Sequence, residues 1–267
     1  MHWFHLLLTL LMYMALGIGA GFLSGLLGAG GGLVVVPGLV FLFHWENMNH
    51  AISMHVAVGT SLATMIPVAL RSLLSHVKYK VPFFFIYKQM APALAVGVIA
   101  GGVLADFLHS RSLEIAFGIF VLCMAGMLLQ KNKSTHQKQL PGMSGMLLAG
   151  GFVGVQSGLL GVAGSAFSVP FLTHRGVDMR IAVVVSVAIA MTVSVIGTIT
   201  FILAGWDASG LPAWSTGFVY WPAWIGLATG GVFVAPLGVK VSHHISTEKL
   251  KICFAVFLLF VAVKMLW

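Results

Sequence analysis

Apolar residues run through this chain in stretches longer than a soluble helix or strand requires. No Lys, Arg, Asp or Glu occurs in residues 1–45, 47–70, 89–105, 115–130, 139–174, 181–206 or 208–239. A helix needs about 20 apolar residues to cross the hydrocarbon core of a bilayer, so the longest runs each hold two elements. A membrane β-barrel would show alternating segments of about ten residues, and none occur here. The pattern predicts a broken helical pair near 6–24 and 26–43, then spans near 52–72, 84–107 and 112–130. A second broken pair follows near 143–158 and 160–173, with spans near 180–204, 213–238 and 249–267. Each broken pair is either two full crossings or a re-entrant hairpin, giving eight to ten membrane helices. The expected fold class is an all-α polytopic membrane protein.

The two halves are copies of one another. Ser24 to Pro37 (SGLLGAGGGLVVVP) matches Ser157 to Pro170 (SGLLGVAGSAFSVP) at eight of fourteen positions, where chance at this composition gives roughly one or two. Pro92-Ala93 with Gly101-Gly102-Val103 is echoed by Pro222-Ala223 with Gly230-Gly231-Val232. We therefore divide the chain into a first repeat of about five helical elements (1–130), a linker (131–141) and a second repeat (142–267). Glycine-broken hydrophobic segments at matching places in two halves point to a transporter's binding site. Irregular backbone at membrane depth is tolerated only where it is buried in protein or lines a cavity.

Composition agrees, since 59% of residues are hydrophobic and only 7% charged, against about 25% charged in soluble domains. The net charge of +8 belongs to topology rather than to nucleic-acid binding. Lys and Arg collect in cytoplasmic loops. Twelve of the fourteen fall in the 71–88 loop, the central linker, the 174–180 turn and the 238–251 segment, leaving only Arg111 and Lys264 outside. With the linker inside, the 71–88 loop is inside and its counterpart at 205–214 is outside. Both termini then come out external and the halves are antiparallel, an inverted repeat of the kind used for alternating access. The start lacks a basic n-region, and its apolar run exceeds a signal peptide. Cys123 and Cys253 read as small buried hydrophobes, and two cysteines make no zinc site.

The glycine cluster has chemistry of its own. Gly28, Gly30, Gly31 and Gly32 allow backbone angles closed to other residues and leave N–H groups uncovered. A helix starting there offers up to four unpaired N–H donors and a positive dipole end, which favour anions. In the second copy Gly161, Gly164 and Ser165 stand in the same stretch, Ser165 adding a hydroxyl. Pro37 and Pro170 close or kink the following segment. The two breaks, facing each other with Gly30, Gly31 and Gly32 opposite Gly164 and Ser165, would form a neutral anion cradle near the midplane. Ser61, Gln156 and Ser157 are candidate side-chain donors. Ser186 is expected to back-bond its own helix. His55 and Asp106 read as interfacial groups first and proton-coupling groups second. A membrane hydrolase with Ser24 or Ser157 as nucleophile lacks a histidine deep in a span to serve as base. A passive anion channel with the same cradle is the nearer alternative.

The duplicated SGLLG motif, the two-half layout and the chain length resemble the sulfite exporter TauE/SafE family, the TSUP permeases, over about residues 10–265. The second copy departs from the glycine-rich form, with Ala163 and Ser165 in place of Gly30 and Gly32. The resemblance implies a non-enzymatic secondary transporter of small sulfur-containing anions such as sulfite, thiosulfate or organosulfonates. It implies a multi-pass protein of the cytoplasmic membrane with the lipid bilayer as partner. We expect no cofactor, no metal and no nucleic acid, and the sequence sets no oligomeric state.

Overall fold

The computed structural model describes residues 2–27, 31–77, 82–129, 140–242 and 247–267. The first five helices are α1 (His2–Leu27), α2 (Gly32–Trp45), α3 (His50–Val77), α4 (Phe84–Phe107) and α5 (Ser110–Leu129). They are followed by α6 (Met143–Leu160), α7 (Ser165–His174), α8 (Met179–Ala204), α9 (Trp221–Ser242) and α10 (Thr247–Leu266). Among the described residues, five segments are long and apolar enough to cross a membrane: His50–Leu74, Phe84–Phe107, Ser110–Met127, Met143–Leu160 and Met179–Ala204. Burial follows the logic of an apolar solvent. Large side chains such as Phe107, Leu148, Phe233 and Phe260 face outward, while Ser61, Ser157, Ser168 and Ser194 are buried. Buried polar groups inside and hydrocarbon outside is the arrangement a bilayer imposes. Cys123 departs from expectation, because it lies exposed on the outward face of α5.

The helices pair across the two halves. The most extensive contacts join α1 to α9 and α4 to α6, and α3 packs on α8 as α5 does on α10. Exchanging the two sets of five helices leaves this pattern unchanged, as a pseudo-two-fold requires. Glycines make the closest approaches. A Cβ on Gly17 would lie 2.5 Å from Leu227 O, one on Gly21 2.6 Å from Gly231 O, and one on Gly97 2.5 Å from Gly151 O. Small residues that let membrane helices touch backbone to backbone account for this glycine content.

The same contacts give helix directions. Gly97 and Gly101 of α4 meet successive positions along α6, and Gly17 and Gly21 do so along α9, so these pairs are parallel. By contrast Gly59 of α3 meets Phe201 of α8 while Gly197 of α8 meets Leu62 of α3. Counterparts α3 and α8 are therefore antiparallel, as an inverted repeat requires.

The broken pairs are hairpins. Gly31 lies beside Ala20 and Gly38 beside Leu16, so α2 folds back along α1. In the same way Gly164 meets Val153 and Ser157, and the Phe167 ring lies 5.1 Å from that of Phe152, so the start of α7 turns back beside α6. Helices α2 and α7 have 14 and 10 residues, so they rise only about 21 and 15 Å, short of a core about 30 Å thick. Pro37 and Pro170 lie inside α2 and α7 rather than closing them, so each helix continues past its proline.

One predicted boundary differs. Helix α9 starts at Trp221, and the residues before it form a small antiparallel hairpin of β1 (Ser215–Thr216) and β2 (Val219–Tyr220). Trp214 and Gly217 take left-handed backbone angles there. The Phe218 N–H donates to Phe201 O at 3.2 Å, so tertiary contact supplies the bonds that a helix would have made.

Candidate functional site

The start of α2 meets the α6–α7 turn. A Cβ on Gly32, the first residue of α2, would lie 2.5 Å from Gly161 O, 2.5 Å from Met65 Cε and 3.0 Å from Val162 Cα. Ser61, near the middle of α3, donates its hydroxyl proton to Gly161 O at 3.1 Å. The meeting thus joins the start of α2, the α6–α7 turn and the centre of α3. Residues 1–45, 47–70 and 139–174 carry no charged side chain, so the walls are neutral and any anion held there would be held by dipoles. Gly31 faces elsewhere than expected. It lines a mainly apolar cleft with Gly17, Gly21, Val35, Thr64, Met65 and Gly231, and its own φ is −60°.

The α6–α7 turn is built by two left-handed glycines. Gly161 at φ 69° ends α6, its N–H donating to Ser157 O at 3.0 Å, and Gly164 at φ 67° caps α7. A side chain at either position would be strained by its backbone angle. The N–H groups here are less free than the sequence reading supposes. Those of Gly164 and Ser165 donate to Val162 O and Ala163 O, both at 2.8 Å, and those of Phe167 and Ser168 reach Gly164 O. Among the described residues, the N–H groups of Val162, Ala163 and Ala166 have no acceptor.

Two hydroxyls compensate. Ser165 Oγ and Ser168 Oγ are buried with no hydrogen-bond partner, and their residues are 4% and 0% exposed. Positions three apart on a helix share a face, so both hydroxyls belong to one side of the first turn of α7. An unpaired buried hydroxyl costs roughly 1–3 kcal/mol, and a ligand that accepts from it recovers that cost. The positive end of the α7 dipole lies at the same place. Two unpaired donors beside a positive helix end are the chemistry that suits an anion.

The other expected residues divide. Ser157 is buried against Gly164, its Oγ 3.1 Å from where a Cβ on that glycine would be. Gln156 is half-buried, and no described residue hydrogen-bonds its side chain. Gly28 and Gly30 lie outside the described residues, as does the side chain of Ser24. Ser186 donates to Val183 O at 2.7 Å, the back-bonded arrangement expected. His55 is buried in the protein, with Nε2 at 3.0 and 3.1 Å from Ala105 O and Leu108 O at the end of α4. Asp106 is exposed. Sequence reasoning missed Ser168, which aligns with Val35 of the first copy. Its signal was a second hydroxyl one helical turn beyond Ser165.

Comparison with known proteins agrees with this architecture. The family model for Sulfite exporter TauE/SafE matches residues 13–265. A "Probable membrane transporter protein" of Haemophilus influenzae is 31% identical over 259 residues, covering 96% of this chain and 97% of the relative. Another so described, from Methanocaldococcus jannaschii, is 27% identical and covers 93% of this chain and 92% of its own length. The "Probable membrane transporter protein YunE" of Bacillus subtilis is 24% identical, with 97% and 98% covered. No solved structure matches.

Proposed function

The chain belongs to the sulfite exporter TauE/SafE family and is a multi-pass membrane transporter, and from that premise we propose that it moves small sulfur-containing anions across the cytoplasmic membrane by secondary transport. Sulfite, thiosulfate and organosulfonates are the substrate class. The carrying observation is the first turn of α7, where Ser165 and Ser168 present buried, unpartnered hydroxyls at a helix N-terminus. A sulfur oxyanion offers several acceptor oxygens at one centre and suits two hydroxyls and a dipole end. The neutral walls let the ion leave again, because no fixed cation holds it. Residues 1–130 and 142–267 would act as the two rocking repeats, with 131–141 as their cytoplasmic linker.

The test is ligand binding by purified protein. A ligand that binds only the native state raises its stability. Sulfite, thiosulfate and methanesulfonate are each expected to raise the unfolding temperature, with chloride as the control. Ser165→Ala and Ser168→Ala should each weaken binding roughly ten- to a hundred-fold, the value of one hydrogen bond to a charged group at about 1.5–3 kcal/mol. Concentrative flux of a bound anion in proteoliposomes separates a carrier from a passive channel. Equal affinity in wild type and both variants would move the site away from α7.

A further inference from the structure

The face that carries the 46–49 corner and the 205–220 segment, external by charge distribution, is closed by an aromatic cluster around one carboxylate. Tyr13 of α1, Phe43 of α2 and Tyr220 of β2 meet edge to face with ring centroids 6.0 to 6.3 Å apart. Tyr13 and Phe43 are buried. The Tyr13 hydroxyl donates to Glu46 Oε1 at 2.7 Å. Beneath the cluster, the Tyr220 N–H donates to Thr60 Oγ1 at 3.0 Å, and the Phe218 ring lies 5.1 Å from that of His55. Thr60 is next to Ser61, which holds Gly161 O. The hairpin therefore sits on the stretch of α3 that supports the α6–α7 turn.

Glu46 is half-buried here, and no described cation pairs with it. The titratable groups facing it are Tyr13 from α1 and Tyr220 from β2. On α2, His44 turns instead to His50 of α3, with ring centroids 4.3 Å apart, and senses Glu114 of α5, which pairs with Arg111 at 3.1 Å. Asp207 is exposed. A carboxylate taken partly out of water without a cation favours its neutral form. Burial pushes the Glu46 carboxyl above the usual range, and the bond from Tyr13 pulls it the other way without cancelling the effect.

We propose that Glu46 is the proton-binding site of an external gate: neutral and held by Tyr13, it keeps the 215–220 hairpin closed over the α6–α7 turn, and loss of its proton opens the hairpin. The proposal rests on the transporter reading and adds a control on that same site. Its sign follows from linkage. The closed arrangement binds the proton more tightly than an open, hydrated one, so acid favours closure and alkali favours opening. Tyr13 donates in both states, and what changes is the cost of keeping a charge among aromatic rings.

Amide hydrogen exchange of residues 214–221, in full-length protein in lipid nanodiscs, reads the opening directly. Protection factors, which remove the chemical pH dependence, are compared at pH 4.5, the ordinary carboxylate value, and at pH 8, so that any upward shift falls inside the window. Wild-type protection should fall several-fold on going to pH 8, whereas Glu46→Gln, a neutral mimic, should stay protected at both. Tyr13→Phe should exchange faster than Glu46→Gln at both values. Wild-type protection constant within about twofold would overturn the proposal, and this arm needs no variant to fold. Equal pH sensitivity in folded Glu46→Gln would overturn it as well. Sulfite, thiosulfate and methanesulfonate flux in proteoliposomes is measured alongside. Glu46-dependent protection without flux would sink the anion reading and leave the gate standing. Flux with protection indifferent to pH would do the reverse.

Discussion

Gly31 and Gly32 are neighbours in a glycine run, yet the structure gives them opposite tolerances. Among the described residues, a Cβ on Gly31 would meet nothing closer than 3.7 Å, and its φ of −60° suits any residue. A Cβ on Gly32 would lie 2.5 Å from the Gly161 carbonyl oxygen, 2.5 Å from Met65 Cε and 3.0 Å from Val162 Cα. The Met65 methyl is the end of a flexible chain and can swing aside, whereas the Gly161–Val162 backbone belongs to a turn pinned by Ser61. Gly31→Ala should therefore gain up to about 1 kcal/mol by restricting the unfolded chain. Gly32→Ala makes the same gain but pays an overpacking penalty of about 1–3 kcal/mol. The variants should differ by roughly 2 kcal/mol, which for a chain of this size separates their unfolding temperatures by about 4–8 °C. Thermal unfolding in one detergent measures this directly. Sulfite affinity should drop only in Gly32→Ala, whose side chain wedges the two breaks apart. Equal unfolding temperatures would refute the contact between α2 and the α6–α7 turn.

The remaining expectations are more local. Ser61→Ala should cost about 0.5–1.5 kcal/mol by leaving Gly161 O without its donor, seen in thermal unfolding. It should affect anion affinity much less than Ser165→Ala, because the Ser61 proton is already committed. Gly154→Leu should abolish the folded monodisperse protein on size exclusion, since its Cβ would press on the Leu94 carbonyl, whereas Gly126→Leu, with open space around it, should elute as wild type. A single cysteine at Ser134, with Cys123 and Cys253 replaced by serine, should resist an impermeant thiol reagent applied outside intact cells. Labelling from outside would reverse the orientation drawn from the Lys and Arg distribution.

How much was legible depended on how local the physics was. Bilayer spans are a matter of residue-by-residue transfer energy, so charge-free runs revealed α3, α4, α6 and α8 to within a few residues at most ends. Duplication was legible because a repeat is a property of the string, and the opposite loop charges carried the inversion that antiparallel α3 and α8 display. Glycines were legible as a class, but their tasks were not. Gly97, Gly101 and Gly154 serve helix contact, Gly161 and Gly164 supply left-handed angles, and Gly31 opens on a cleft. Nothing in the string separates these uses, because each depends on which backbone lies opposite.

What the sequence by itself determined is therefore the solvent the chain lives in, the order of its helical elements and the two-fold plan. Each follows from summed hydrophobicity or from internal similarity. Only the tertiary structure decided that the broken pairs turn back inside the bundle, that Gly32 meets Gly161, and that residues 215–220 form a hairpin against α3 instead of the start of α9. It also set Ser165 and Ser168 apart from the other buried serines. Ser186 and Ser194 sit mid-helix and bond backward to their own carbonyls, while the turn before α7 leaves Ser165 without a preceding helical turn to accept its proton. An unpaired hydroxyl is a relation between a side chain and everything around it, and those surroundings exist only once the two halves have packed.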